Sequence, residues 1–495
     1  MIWVLALPVL IPFVGAIAAL FSGTGRSARW VGVIASTLHL ASAVWLLSEV
    51  AARGVIAGQM GGWPAPFGIT LVVDHLSVVM VTVAALTGLA VAVYSLAEID
   101  PENGRLGHHA LFQLLMAGVT GAFVTGDLFN LYVWFEVMLI ASFGLLVLGG
   151  SRAQIDAGIR YVALNLVSTI LFLSGIGLLY GMTGTLNFAD LQSAVAAVEN
   201  KGLVRFVAAL FLVAFGIKAA VFPLFFWLPA SYHTPAFAVS AVFAGLLTKV
   251  GVYALIRMFT LVFPYDPFVQ TLLLWCAALT MLSGVLGAAA QSGTRKILSF
   301  HIVSQIGYMI LGLALMTPFA LAGSVFYLAH HIVVKGNLFL VAGVMARLQG
   351  SEDVYAVGGL YRAAPLLGVL FLIPAFSLAG FPPLSGFWAK LVLVRASLEL
   401  EYWWLVAAAL VTGALTIYSM TKIWGEAFWK EHPDGRTPAL SNIPRPARTQ
   451  LLLPIAALAL VTVLIGLFPG PIWDFAAVAG NQLMDPTAYV AEVLR

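Results

Sequence analysis

Apolar runs of about twenty residues recur along the whole chain, separated by short segments where Gly, Pro and charged residues gather. Wound as an α-helix, such a run matches a hydrocarbon core about 30 Å thick. Dividing the chain at those gatherings predicts about fourteen spans: 2–22, 30–48, 70–96, 109–125, 128–149, 160–182, 205–228, 235–259, 268–290, 297–316, 319–346, 365–395, 402–425 and 451–469. The expected fold class is an all-α polytopic membrane protein in one membrane domain. The first run has no basic residue before it and no small-residue cleavage site ahead of a soluble domain, so it reads as a retained helix. Pro223 and the Pro382/Pro383 pair interrupt two spans, and proline removes a backbone donor and clashes with the preceding turn. The seventh and twelfth spans are therefore expected to be broken.

Composition agrees, with 61% hydrophobic and 9% charged residues and a mean hydropathy of +1.01. These values exclude a soluble enzyme, and the charges are too few for a nucleic-acid partner. Basic residues set an orientation. With the N-terminus outside, fourteen fall in inner loops: Arg26, Arg29, Arg105, Arg152, Arg160, Arg295, Lys296, Arg347, Arg362, Lys422, Lys430, Arg436, Arg445 and Arg448. Six fall outside: Arg53, Lys201, Arg205, Arg257, Arg395 and Arg495. Both termini are thus expected on the outer face, with the tail from Pro471 along that surface. The single cysteine, Cys276, forms no internal disulfide and is expected to pack. No phosphate-binding glycine loop, cysteine ligand set or His/carboxylate cluster with metal spacing occurs. Neither cofactor nor metal is expected.

The remaining ionisable residues lie inside spans, where charge is costly and usually marks an ion path. Lys218 and Lys249 sit two to three turns from their helix ends, beyond the reach of a snorkelling side chain. Glu136 suits a partner for a buried lysine, whose pKa it would raise against desolvation; a purely structural ion pair is the alternative. His331 and Lys335 are four apart and share a helix face, and imidazole both donates and accepts a proton. His330 and His301 are weaker candidates, each with core packing as the alternative. Lys390 follows the second break by seven residues, with Arg395 beyond it as a possible interface marker. Tyr308, Thr248 and Ser304 would hydrate a path or bond between helices. A broken helix with a buried lysine ends each half, as inverted repeats of about five helices would produce, with the path at their interface.

The segments FGIKAAVFPLFFWLPASYHTPAFAVSAVFAGLLTKVGVYALIR, DLFNLYVWFEVMLIASFGLLVLGG, KILSFHIVSQIGYMILG, HHIVVKGNLFLVAG and LAGFPPLSGFWAKL together resemble the antiporter-like proton-translocating subunits. These are shared by respiratory complex I, membrane-bound hydrogenases and Mrp cation/proton antiporters, and the wording is most like the D-type Mrp subunits. The resemblance implies fourteen helices in which 4–8 (residues 109–259) and 9–13 (268–425) form inverted repeats. Residues 1–108 would hold helices 1–3, and 451–495 helix 14 and the tail. It also implies that protons move along Glu136, Lys218, Lys249, His331, Lys335 and Lys390. Two departures stand out: Gln305, where several relatives carry histidine, and Phe226, where many do. The chain lacks the long lateral helix of the largest such subunits.

The implied function is a proton-translocating subunit of a multi-subunit Na⁺ or K⁺/proton antiporter in a bacterial inner membrane, a transporter component rather than an enzyme. Its partners would be subunits A, B, C, E, F and G. The alternative is a proton-pumping arm of a complex I-like quinone oxidoreductase or a membrane-bound hydrogenase.

Overall fold

A computed structural model describes residues 2–22, 25–435 and 439–495, without the side chains of Gly25 and Arg26. Two residues of the charge count, Arg26 and Arg436, thus lie outside what is described. Among the described residues, twelve helices are long and apolar enough to span a membrane, and two shorter apolar ones complete fourteen. They are α1 (Ile2–Phe21), α2 (Gly25–Arg53), α3 (His75–Glu98), α4 (His108–Val124), α5 (Leu128–Val147), α6 (Arg152–Thr183) and α7 (Lys201–Ala219). Then follow α8 (Phe237–Val262), α9 (Pro267–Ala289), α10 (Thr294–Leu315) and α11 (Pro318–Gln349). The last are α12 (Pro365–Ala379 and Ser385–Glu399), α13 (Trp403–Trp429) and α14 (Arg445–Leu467).

The helices form two shells. A helix that is apolar all round belongs in a core, and the most apolar stretch of α8 and of α11 is wholly buried, that of α10 94% buried. In α6 the figure is 33%, which makes it a peripheral helix. Glycines set the closest approaches. An added Cβ on Gly251 of α8 would lie 2.6 Å from the Ala219 nitrogen at the end of α7, and one on Gly284 of α9 2.3 Å from the Ser304 nitrogen of α10.

Two sets of backbone bonds display the inverted repeat. The segment before α5 pairs with the segment after α6, Leu128 N donating to Leu186 O at 2.9 Å and Phe188 N to Gly126 O at 2.9 Å. The segment before α10 pairs with the one after α11 in the same way, Thr294 N to Glu352 O at 2.8 Å and Val354 N to Ser292 O at 3.0 Å. Fourteen alternating helices put these pairings at opposite ends of the bundle. The breaks match too. The first part of α7 ends on Ala220 in left-handed conformation (φ 60°), and Val221 N turns back to Gly216 O. The first part of α12 ends on Gly380 (φ 97°), and Phe381 N turns back to Phe376 O. Both are C-terminal caps of the kind that close a helix before proline.

Two expectations need correction. Residues 70–73 are not helical but form β2 (Thr70–Val73), paired antiparallel with β1 (Ile56–Gln59). The tail forms α15 (Gly470–Met484), which buries Ala476, Ala479, Gly480 and Leu483 against α11, and α16 (Thr487–Val493) follows it. Arg257 is not a loop residue. It lies within α8, 3% exposed, paired with the buried Asp74 at 2.5 Å. A short amphipathic helix, Phe188–Ala197, also links α6 to α7.

Candidate functional site

The charged residues of the apolar runs lie along a line through the middle of the bundle. At one end, Lys218 is the last residue but one of α7, so the break two residues on leaves it at a helix terminus inside the protein. It is 6% exposed, and its ammonium stands 5.6 Å over the Phe135 ring of α5. A cavity of about 20 Å³ lies against it, lined also by Tyr161 and Asn165, enough for one water molecule. Glu136, beside Phe135, accepts from the Thr169 hydroxyl at 2.7 Å. It acts on Lys218 electrostatically, but no ion pair within 4.0 Å joins them among the described residues.

Gly251 presses the end of α7 against α8, bringing the Lys218 backbone beside the segment that carries Lys249. That segment follows a π-helical turn, Phe243–Leu247. A π turn widens the helix and releases backbone carbonyls, and the Lys249 ammonium donates to the Ala244 carbonyl within it. Across from this turn runs α11, whose Ile332 oxygen lies 3.5 Å from where a Gly245 Cβ would stand.

Helix α11 supplies His330, His331 and Lys335, all fully buried. The lysine nitrogen and both ring nitrogens of His331 have no hydrogen-bond partner, and neither do the buried Thr87 and Thr248 hydroxyls or the Asn337 amide. Lys249, Lys335 and Lys390 all act on His331. Buried polar groups in proteins are nearly always bonded. So many unbonded ones on three adjoining helices describe a strip that protein atoms alone do not satisfy.

Past His331 the line enters α10 and α12. The Tyr327 hydroxyl donates to Gln305 Oε1 at 2.5 Å, and Gln305 Nε2 donates to Ser304 Oγ at 2.8 Å. Ser304 in turn reaches the His301 carbonyl at 3.2 Å. Gln305 therefore holds a fixed place between a tyrosine and a serine. The Tyr327 ring stacks on Tyr308 at 5.3 Å, and the Lys390 ammonium lies 5.1 Å over Tyr308. Lys390 does not snorkel outward. It reaches back across the break and donates to the carbonyls of Leu378 and Ala379 at 2.8 and 3.0 Å. Leu378 precedes Gly380 by two residues, as Lys218 precedes Ala220. The two repeats thus bring an ammonium to the same place at their breaks, one from before it and one from after.

Sequence reasoning passed over several residues of this line. Ser385 bonds His330 Nδ1 at 2.7 Å and Ser377 Oγ at 2.9 Å, tying the histidine to both parts of α12. Their only sequence signal is a hydroxyl on each side of a proline break. Glu98, ending α3, accepts from Phe237 N and Ala238 N at 2.7 Å each and so caps α8. At that end of the bundle His233 lines an opening of about 420 Å³ with Arg295, Lys296 and Glu352. Burial, then Lys296, hold its imidazole below the ordinary histidine range. Among the described residues no group of three or more metal-ligating side chains occurs.

Comparison with known proteins identifies the family and the fold. The NADH:quinone oxidoreductase/Mrp antiporter transmembrane family matches residues 125–416. The chain is 44% identical over 491 residues to the D-type subunit of the Na⁺/H⁺ antiporter of Alkalihalophilus pseudofirmus, covering 99% of both. Its fold superposes with a TM-score of 0.91 and 34% identity on a chain of the Mrp complex from Dietzia, covering 100% of both. A chain of respiratory complex I from Thermus thermophilus gives 0.81 and 27% identity, covering 97% of this chain and 99% of that one. With the breaks, the repeat and the buried charges in place, this chain belongs to the NADH:quinone oxidoreductase/Mrp antiporter transmembrane family.

Proposed function

We propose that the chain is a proton-translocating membrane subunit of a multi-subunit antiporter exchanging Na⁺ or K⁺ for protons across a bacterial cell membrane. The observation that carries this is the buried line from Lys218 through Lys249 and His331/Lys335 to Lys390, whose polar atoms are left partly unbonded on adjoining helices. Desolvated lysines give up protons readily, and a neighbouring carboxylate reverses that. Movement of Glu136 toward or away from Lys218 would load or release a proton there. The proton would then pass by Lys249 to the His331/Lys335 region and on to Lys390. His330 and His301 flank the path, and Tyr327 and Gln305 bridge α10 to α11. The working units are residues 109–259 and 268–425, with 1–108 and 451–495 as flanking scaffold. Other subunits of an Mrp complex (A, B, C, E, F and G) are the partners, and both termini face outward.

The likeness to a complex I chain supports a second reading, in which redox chemistry on partner subunits drives the same line. Everted vesicles from an antiporter-deficient host separate the two. Sodium-dependent antiport by the whole complex should vanish with Lys218→Ala while the complex still assembles. Wild-type antiport in an assembled Lys218→Ala complex would refute the path. Proton pumping that requires an electron donor, with no sodium response, would favour the redox-driven arm.

A further inference from the structure

A second polar seam runs between α2 and α4, apart from the central line. On α4 it contains His109, Gln113 and Thr120, and on α2 Gly32, Ser36 and His39, all but Gly32 at most 4% exposed. Gln113 Nε2 donates to the Gly32 carbonyl and to Ser36 Oγ, both at 2.8 Å. His39 Nε2 lies 3.1 Å from Thr120 Oγ1. From His109 to Thr120 the helix rises roughly 16 Å, about half of a hydrocarbon core. One turn further, the Phe123 carbonyl accepts from Tyr253, which also meets Ser77 and Arg257 of the buried Asp74 pair. Polar groups therefore recur from one end of α4 to the other.

A seam that only held helices together would be fully bonded. Here Gln113 Oε1, His108 Nε2 and His109 Nε2 are buried without a partner among the described residues, an arrangement that is costly in a dry site. Gly32 of α2 leaves space beside them, where a Cβ would meet only His109 and Gln113, at 3.7 Å or more; at Gly15 of α1, by contrast, a Cβ would stand 2.5 Å from the Ala35 Cβ, so α1 packs closely on α2 there. Arg29 is the charge that acts on His109. We infer that this seam is a second proton-conducting branch, a hydrated line whose protonatable groups are His109 and His39. It rests on the central line being a proton path.

Glutamine at His39 or His109 keeps hydrogen-bonding capacity but not the titratable proton. In whole complexes in everted vesicles, His39→Gln and His109→Gln should each lower antiport about tenfold or more, as loss of a positioned proton carrier would. Wild-type rates in both would overturn the branch, because a bonding role tolerates glutamine. Lys218→Ala, measured alongside, keeps the two ideas apart. If it abolishes antiport while the glutamine variants are unaffected, only the branch fails; if it too is unaffected, the central path fails. Ser36→Cys in a Cys276→Ser background supplies a readout that needs no transport. A small polar thiol reagent should modify it in the assembled complex. An unreactive thiol would show a dry seam and overturn the proposal, and protection by sodium would assign the seam to the cation and overturn it equally.

Discussion

Lys335 sits in the middle of α11 with its ammonium bonded to nothing among the described residues. An unpaired buried charge is a poor stabiliser, and apolar replacement of such groups is often neutral or favourable. Lys335→Met should therefore leave the melting temperature of the purified complex unchanged or raised, while antiport in vesicles falls about tenfold or more. A lower melting temperature with normal antiport would make the lysine structural. At this scale the sequence was readable where charge meets an apolar run: Lys218, Lys249, His331 and Lys335 are conspicuous because lipid-depth charge is costly. Their neighbours were not. Ser385, Ser377 and Tyr327 are ordinary residues of membrane helices, and only the crossing of α10, α11 and α12 gives them a role.

The breaks are the elements on which the proposed path depends. Proline announces both, but the backbone cap and the packing around it do not show in the sequence. At Gly386 an added Cβ would lie 1.7 Å from the Ser377 carbonyl and 3.0 Å from the His330 ring. Gly386→Ala should push the two parts of α12 apart at a cost of about 1–3 kcal/mol. The expected result is a lower melting temperature together with reduced antiport, because His330 and Ser385 move with the same displacement. Unchanged values for both would show that α12 moves freely there. The π turn beside Lys249 and the β1/β2 hairpin were also hidden. A π turn has no periodicity of its own, and the hairpin's second strand reads as the start of α3.

For the molecule as a whole, the Asp74/Arg257 pair joins α3 to α8 and lies under the tail, with the Tyr489 ring of α16 5.4 Å from the guanidinium. Both side chains are 3–4% exposed. Removing one partner of such a pair strands a buried charge, at a cost of about 3–5 kcal/mol. Asp74→Ala should accordingly destabilise the purified complex strongly in thermal unfolding. Asp74→Leu combined with Arg257→Met should recover most of the loss, since no charge is then stranded. Equal destabilisation by the single and double variants would show that shape rather than charge is at stake.

The sequence by itself determined that this is a bundle of about fourteen spanning helices, where two of them break, and which charges lie inside apolar runs. Those properties follow from local hydropathy, proline geometry and the cost of charge in lipid, which neighbouring residues along the chain are enough to express. Only the tertiary structure decided that Lys390 turns back to the carbonyls of its own break, that Arg257 is a core residue, and that Glu98 caps a helix more than a hundred residues away. It alone brought α2 and α4 together as a polar seam. The physical reason is that a hydrogen bond or ion pair depends on which helix faces cross, and helices distant in sequence are brought together by packing that no single run encodes.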